Sequence, residues 1–394
     1  MRPTFTQEEE NFRQEIRRFI TSEKKSSKAR GLPSDVFVSE LYAKMTEKGW
    51  TGMFIPKEYG GTGRKETDWA ILIEELAYSG APEILRTALD MISFIGGGLM
   101  IPCGSPEVKR KFLPGLCTGD ITVSIGSTEP ATGLDMDLFT TRAVDKGDHF
   151  IVNGVKIYNE AHRSNHLCVI LQTAPEAKSV EHKMSVIMVD LASPGVSVRP
   201  LWMMWGLRRD EVVLDNVKVP KENLIGPKDG MYQYVVEALS AEWGTLSNVG
   251  TLRRDYERFI ELLKATGGSR LLSAMPGIRN QLAELEMELE IGRLLFYKTW
   301  WLREQRKPAG VTGAMAKIHV TELWPKLYGV LTEIAGQSAR LEGLEAAMKW
   351  PMARLGLTYS YEFSPSLTIG GGPTETQRDY VAQQGFGLSK ANGG

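Results

Sequence analysis

The chain changes texture twice, near Ile121 and near Ile225, and those two changes limit the architectures open to it. From Glu8 to about Asp120, apolar residues recur three and four apart: Phe12, Ile16, Phe19 and Ile20, then Leu72, Ile73 and Leu76. That spacing puts one apolar stripe on a helix. From Ile121 to about Ile225 the apolar residues come in short, β-branched runs: Phe150-Ile151-Val152, Cys168-Val169-Ile170 and Val186-Ile187-Met188-Val189. Gly, Asn, Asp and Pro bound these runs, as they bound strands. After Pro220 the helical period returns over Tyr232–Leu246, Leu282–Trp301 and Ala314–Ala335. Long stretches rich in Leu, Met and Ala suit a helical bundle. The expected fold is therefore mainly α with a central β domain. Its parts are an N-terminal helical domain over 1–120, a middle β domain over 121–225 and a C-terminal helical bundle over 226–394.

Charge and cysteine content exclude several partners. Lys+Arg 47 against Asp+Glu 48 leaves almost no net charge, so nothing draws the chain to nucleic acid or to an anionic membrane. No apolar run approaches the ~18–20 residues that span a bilayer, and the acidic start Glu8-Glu9-Glu10 lacks a signal peptide's apolar segment. Cys103, Cys117 and Cys168 are sparse and odd in number, which fits a reducing, cytoplasmic location better than a disulfide scaffold. His162 and His166 have helical spacing but no acid suited to a metal site between them, so no metal is expected.

Several motifs then occur in a fixed order. Pro56-Lys57-Glu58-Tyr59-Gly60-Gly61-Thr62-Gly63 precedes Glu74-Glu75-Leu76, and Gly104-Ser105-Pro106-Glu107 precedes Lys111-Phe112-Leu113-Pro114. Thr128-Glu129-Pro130 with Gly133 and Asp135, Asn153-Gly154-x-Lys156, and Asp215-Asn216-Val217-x-Val219-Pro220 follow. Near the C-terminus, Thr374-Glu375-Thr376-Gln377-Arg378-Asp379-Tyr380 comes after the triplet Gly370-Gly371-Gly372. In this order and spacing the chain resembles the acyl-CoA dehydrogenase family over nearly its full length.

The resemblance implies FAD as cofactor and α,β-dehydrogenation of an acyl-CoA thioester. A carboxylate would take the α-proton while flavin N5 accepts hydride from the β-carbon; the protein's part is orientation and a tuned base. It implies that Ser127 and Thr128 border the flavin ring, that Tyr158 packs on one ring face, and that Glu160 lies close to N5. Glu333 and Gly336, in Glu333-Ile334-Ala335-Gly336-Gln337, resemble a degraded adenosine loop, and Glu375 lies in the C-terminal flavin motif. An electron-transferring flavoprotein or similar acceptor, and a dimer or tetramer, are implied as partners. The departures from the family pattern are Leu134 for serine, Glu160 for threonine, Tyr158 for tryptophan and Pro373 for threonine. An Arg-x-x-Phe-Gly segment is also unrecognisable around Ala265–Ser269.

The largest departure concerns the base. The family's usual catalytic glutamate sits seven residues before the arginine of the Gln-Arg pair, and here that position is Gly371. A subclass with glycine there takes its base from the core helix, at a position matching Glu242, with Trp243 where an arginine follows. Asp90 is the competing base; it resembles the aspartate of some cyclic acyl-CoA dehydrogenases. Arg86, at i−4 and on the same helix face, matches the arginine by which glutaryl-CoA dehydrogenase holds a distal carboxylate. The expected substrate is thus an unusual acyl group, cyclic or dicarboxylic, with Arg86, Asp90, Trp243 and Gly371 at the pocket. A partner subunit with a decayed flavin site is the alternative.

Overall fold

The computed structural model describes residues 4–31, 34–266, 276–341 and 355–389. The stretch around Ala265–Ser269 therefore lies outside the described residues beyond Thr266. The helices are α1 (Gln7–Arg30), α2 (Ser34–Glu47), α3 (Glu66–Tyr78) and α4 (Glu83–Met91), which runs into a π-helical segment, Ile92–Met100. Next come α5 (Pro106–Thr118) and eight strands: β1 (Val123–Gly126), β2 (Arg142–Asp145), β3 (His149–Asn159), β4 (His166–Gln172), β5 (Met184–Asp190), β6 (Val196–Trp202), β7 (Arg208–Pro220) and β8 (Leu224–Ile225). The chain then forms α6 (Tyr232–Leu246), α7 (Gly250–Ala265), α8 (Pro276–Glu304), α9 (Gly310–Ala335), α10 (Leu357–Ile369) and α11 (Thr374–Tyr380). Helices before and after a central run of strands are the order that the two texture changes foretell. The chain divides into two compact units, one of residues 1–31, 66–83 and 243–394, the other of 32–65 and 84–242.

In the first unit α1 starts at a capping box, in which Thr6 and Glu9 each take the other's backbone N–H, so two of the helix's orphan donors are satisfied. α1 packs on α3, α3 on α7 and α8, and α9 on α8, α10 and α11. Buried polar pairs tie these layers. Glu75 of α3 accepts from Arg13 Nε of α1 at 2.8 Å and also from Arg17. Asp255 of α7 accepts from the Tyr328 hydroxyl of α9 at 2.8 Å. Glu74 accepts from the Tyr297 hydroxyl, and burial pushes its carboxyl above the usual carboxylate range.

In the second unit the sheet runs β6-β7-β3-β2-β4-β5-β8, with β1 added parallel to β4. Phe150 and Val152 of β3 face Val219 and Val217 of β7, and Leu167, Val169 and Leu171 of β4 complete the core. Period-2 alternation buries Val212 and Leu214 and then, one residue out of step, Val217 and Val219. The slip falls at Asp215-Asn216, where Asn216 has φ +52°, opposite the register shift between Val152 and Gly154; a bulge of this kind resets which face is buried. Among the described residues no helix is long and apolar enough to cross a membrane. No cluster of three or more His, Cys, Asp or Glu among them could hold a metal ion.

Candidate active site

β1 delivers the loop that carries Ser127, Thr128 and Glu129, and one buried lysine fixes that loop. Lys156 of β3 donates its Nζ to Ser127 O at 2.7 Å and to Glu129 Oε1 at 2.9 Å. Both side chains are closed to solvent, and the ammonium sits 3.9 Å from the Phe139 ring centroid. Glu129 also accepts from Thr140 N and Oγ1 at 2.7 Å each and from Thr141 N at 3.0 Å. A charge pair this far from water is tolerable only when its remaining lone pairs are filled. Burial works against the Glu129 charge, yet the Lys156 ammonium and the Thr140 donors bring its carboxyl down to about 2. The Lys156–Glu129 pairing is a site feature that sequence reasoning missed. Both residues lie in quoted motifs, and the available signal was a lysine among apolar β3 neighbours that needed an acid partner.

Beyond Lys156, Ile157 N donates to Thr128 O at 2.9 Å, which sets Tyr158 beside the same loop. Tyr158 adopts φ +63° and leaves its ring 56% exposed. An outward-held aromatic next to two hydroxyl residues and a fixed backbone edge fits a planar ring with polar margins, so Ser127, Thr128 and Tyr158 suit the isoalloxazine of FAD. Glu160 follows, its backbone N held by Ser124 Oγ at 2.9 Å and its carboxylate paired with Arg209 of β7. Arg209 therefore offsets the Glu160 charge. The adjoining His162 donates its backbone N to buried Asp210 Oδ2 at 2.8 Å and binds the same oxygen through Nδ1 at 2.6 Å. Arg208 Nε holds the other Asp210 oxygen at 2.7 Å. Arg208, Arg209 and Asp210 were not singled out in the sequence.

Arg86 and Asp90 both lie on α4, half-buried, with Arg86 Nε and Asp90 Oδ1 shielded from water. α6 carries Glu242, whose side chain lies outside the described residues.

In the helical unit the glycine triplet forms the turn between α10 and α11, with φ +68° at Gly371 and +94° at Gly372. Trp243, only 4% exposed, donates Nε1 to Gly371 O at 2.7 Å and sets its ring edge-on to Tyr380, centroids 5.4 Å apart. Lys317 of α9, fully buried, donates Nζ to Gly372 O at 2.6 Å. The structure thus brings Trp243 and Gly371 together. Glu333 is exposed near the C-terminal end of α9, which Gly336 caps with φ +61°, and Glu375 is exposed in the first turn of α11. Neither glutamate is brought into the Trp243–Gly371 contact.

Helices, then a central run of strands, then further helices along the chain is the element order of flavin-dependent acyl-thioester dehydrogenases. Sequence models of the acyl-CoA dehydrogenase N-terminal, middle and C-terminal domains match residues 6–120, 124–217 and 230–386. The chain belongs to the acyl-CoA dehydrogenase family. It is 29% identical to the acyl-CoA dehydrogenase FadE26 of Mycobacterium tuberculosis over the full length of both chains. It superposes on the Tcur3481-Tcur3483 steroid ACAD with a TM-score of 0.86 at 26% identity, covering 99% of this chain and 100% of that one. The same coverages hold for the ChsE4-ChsE5 complex of M. tuberculosis, with a TM-score of 0.85 and 28% identity. The protein is an oxidoreductase of acyl-CoA thioesters, and the members of its family are FAD flavoproteins.

Proposed function

We propose that the chain dehydrogenates a cyclic acyl-CoA thioester and takes its base from Glu242 rather than from the C-terminal turn. The observation that carries this reading is the turn itself. Gly371 supplies no carboxylate, its left-handed φ resists any side chain, and its carbonyl is occupied by Trp243. FAD, when bound, supplies the two-electron sink. Ser127, Thr128 and Tyr158 hold the ring, the Lys156–Glu129 pair keeps their loop in place, and Glu242 accepts the α-proton that the thioester acidifies. Asp90, on α4, is the competing base. Likeness to a steroid ACAD supports a cyclic acyl group over a dicarboxylic one.

Anaerobic flavin bleaching tests this assignment. Cyclohexanecarboxyl-CoA, glutaryl-CoA and butyryl-CoA are mixed in turn with the wild type, Glu242→Gln and Asp90→Asn. Bleaching by the cyclic thioester, slowed ~10²–10⁴-fold in Glu242→Gln alone, is expected from loss of a positioned base. Loss in Asp90→Asn with a near-normal Glu242→Gln moves the role to Asp90. A preference for glutaryl-CoA moves the substrate to the dicarboxylic class and gives Arg86 its distal carboxylate.

A second reading is a partner subunit of a hetero-oligomer that binds FAD poorly. Likeness to a two-protein complex supports it. A purified protein that stays colourless with added FAD would select this reading.

A further inference from the structure

We propose that Trp243 is a positioning residue: its indole N–H, bonded to Gly371 O, fixes the rotation of α6 at the point where Glu242 leaves it. The proposal rests on Glu242 being the base. The turn is a rigid acceptor. Lys317 holds Gly372 O at 2.6 Å, and a β-carbon on Gly372 would lie 2.9 Å from Gln377 Nε2. Trp243 and Lys317 thus hold two successive carbonyls of the turn. An indole is an equally rigid donor, because two side-chain torsions aim its single N–H. The Trp243 ring is closed in by burial and by edge-on contact with Tyr380.

Neighbouring helix residues are separated by about 100° of rotation and 1.5 Å of rise. Locking Trp243 therefore fixes the rotational setting of the α6 backbone at the neighbouring position 242. Here the acceptor is the residue that stands where the family's usual base would be. The glycine that vacates one catalytic position thus anchors the helix that supplies the other.

The test uses the FAD-loaded, full-length protein and whichever thioester of the panel above bleaches it fastest. Trp243→Phe keeps the ring against Tyr380 and removes only the donor. Gly371→Ala disturbs the acceptor instead and serves as the second variant if Trp243→Phe folds poorly. Both are expected to lower kcat about 10–100-fold, part of the effect of a positioned base, with KM within about threefold. The acid limb of the kcat–pH profile should move by roughly half a unit or more, because a displaced carboxylate meets a different environment. Flavin content should stay at the wild-type level, and amide exchange across residues 368–378 should quicken. An unchanged kcat and pH limb beside quickened exchange overturns the proposal, as does a raised KM at constant kcat, which would make Trp243 a pocket wall. A fully active Glu242→Gln overturns the base assignment and this proposal with it. An inactive Glu242→Gln beside an unaffected Trp243→Phe overturns the positioning role alone.

Discussion

Glu129 shows how one buried ion organises a loop. Its carboxylate takes three donors from Thr140 and Thr141 and the ammonium of Lys156, while Lys156 in turn pins Ser127 O. Removing one member of such a pair leaves the other charged and unmatched, which typically costs about 3–5 kcal/mol. The pH dependence has a definite sign. The Glu129 carboxyl titrates at about 2 in the folded protein against 4.5 for an unperturbed glutamate, so its contribution is complete above about 4.5 and is lost as pH falls toward about 2. Guanidinium unfolding midpoints measured across that window should fall with acid in the wild type. In Glu129→Gln that limb should flatten, from a lower starting stability. A Glu129→Gln limb as steep as the wild type's would show that other carboxylates set the acid sensitivity.

At the scale of elements, the segment after α4 is the least ordinary. Three consecutive glycines, Gly96-Gly97-Gly98, lie in the π-helical segment, whose end is marked by Ile101 N donating to Gly96 O, five residues back. The wider coil brings Gly98 against α6, where a β-carbon would come within 2.8 Å of Ala238 Cβ and 3.1 Å of its Cα. Backbone on one side and a short side chain on the other leave nothing to move aside. Gly98→Ala should therefore destabilise by about 1–3 kcal/mol through overpacking. Gly96→Ala would meet only Ile55, Leu113 and Leu116 side chains at 3.6 Å or more. It should be neutral or gain about 0.5–1 kcal/mol from helix propensity. Unfolding midpoints of the two variants measure the difference, and equal effects would remove the close approach as the reason for Gly98.

At the scale of the whole molecule, the helical unit leaves Met287 and Ile291 of α8, Met315 of α9, Tyr361 of α10 and Ile369 exposed by 45–64%. Met287 and Ile291 are four apart and share one helix face. Helices with apolar residues beyond their own core form interfaces between chains. The expected outcome is a dimer or tetramer in light scattering at micromolar concentration. Glu substitutions at Met287 and Ile291 should lower the mass, and a wild-type mass of one chain would contradict self-association.

What the sequence determined by itself is whatever its periodicity and turn chemistry encode locally. The switch from a helical period to short β-branched runs and back gave the helix–sheet–helix order, and ordered motifs gave the family. Gly371 was visible because a missing carboxylate is a property of one position. The π-helical form of the Gly96–Gly98 segment was not visible, because apolar helix and apolar π-helix share composition and differ in packing. Nor were the pairs Lys156–Glu129, Arg209–Glu160 and Trp243–Gly371, which join residues 27, 49 and 128 positions apart. Each partner is acceptable alone on a surface. Only when tertiary structure withdraws both from water must the lysine find its acid and the indole its carbonyl, and that requirement decides which residues hold the site.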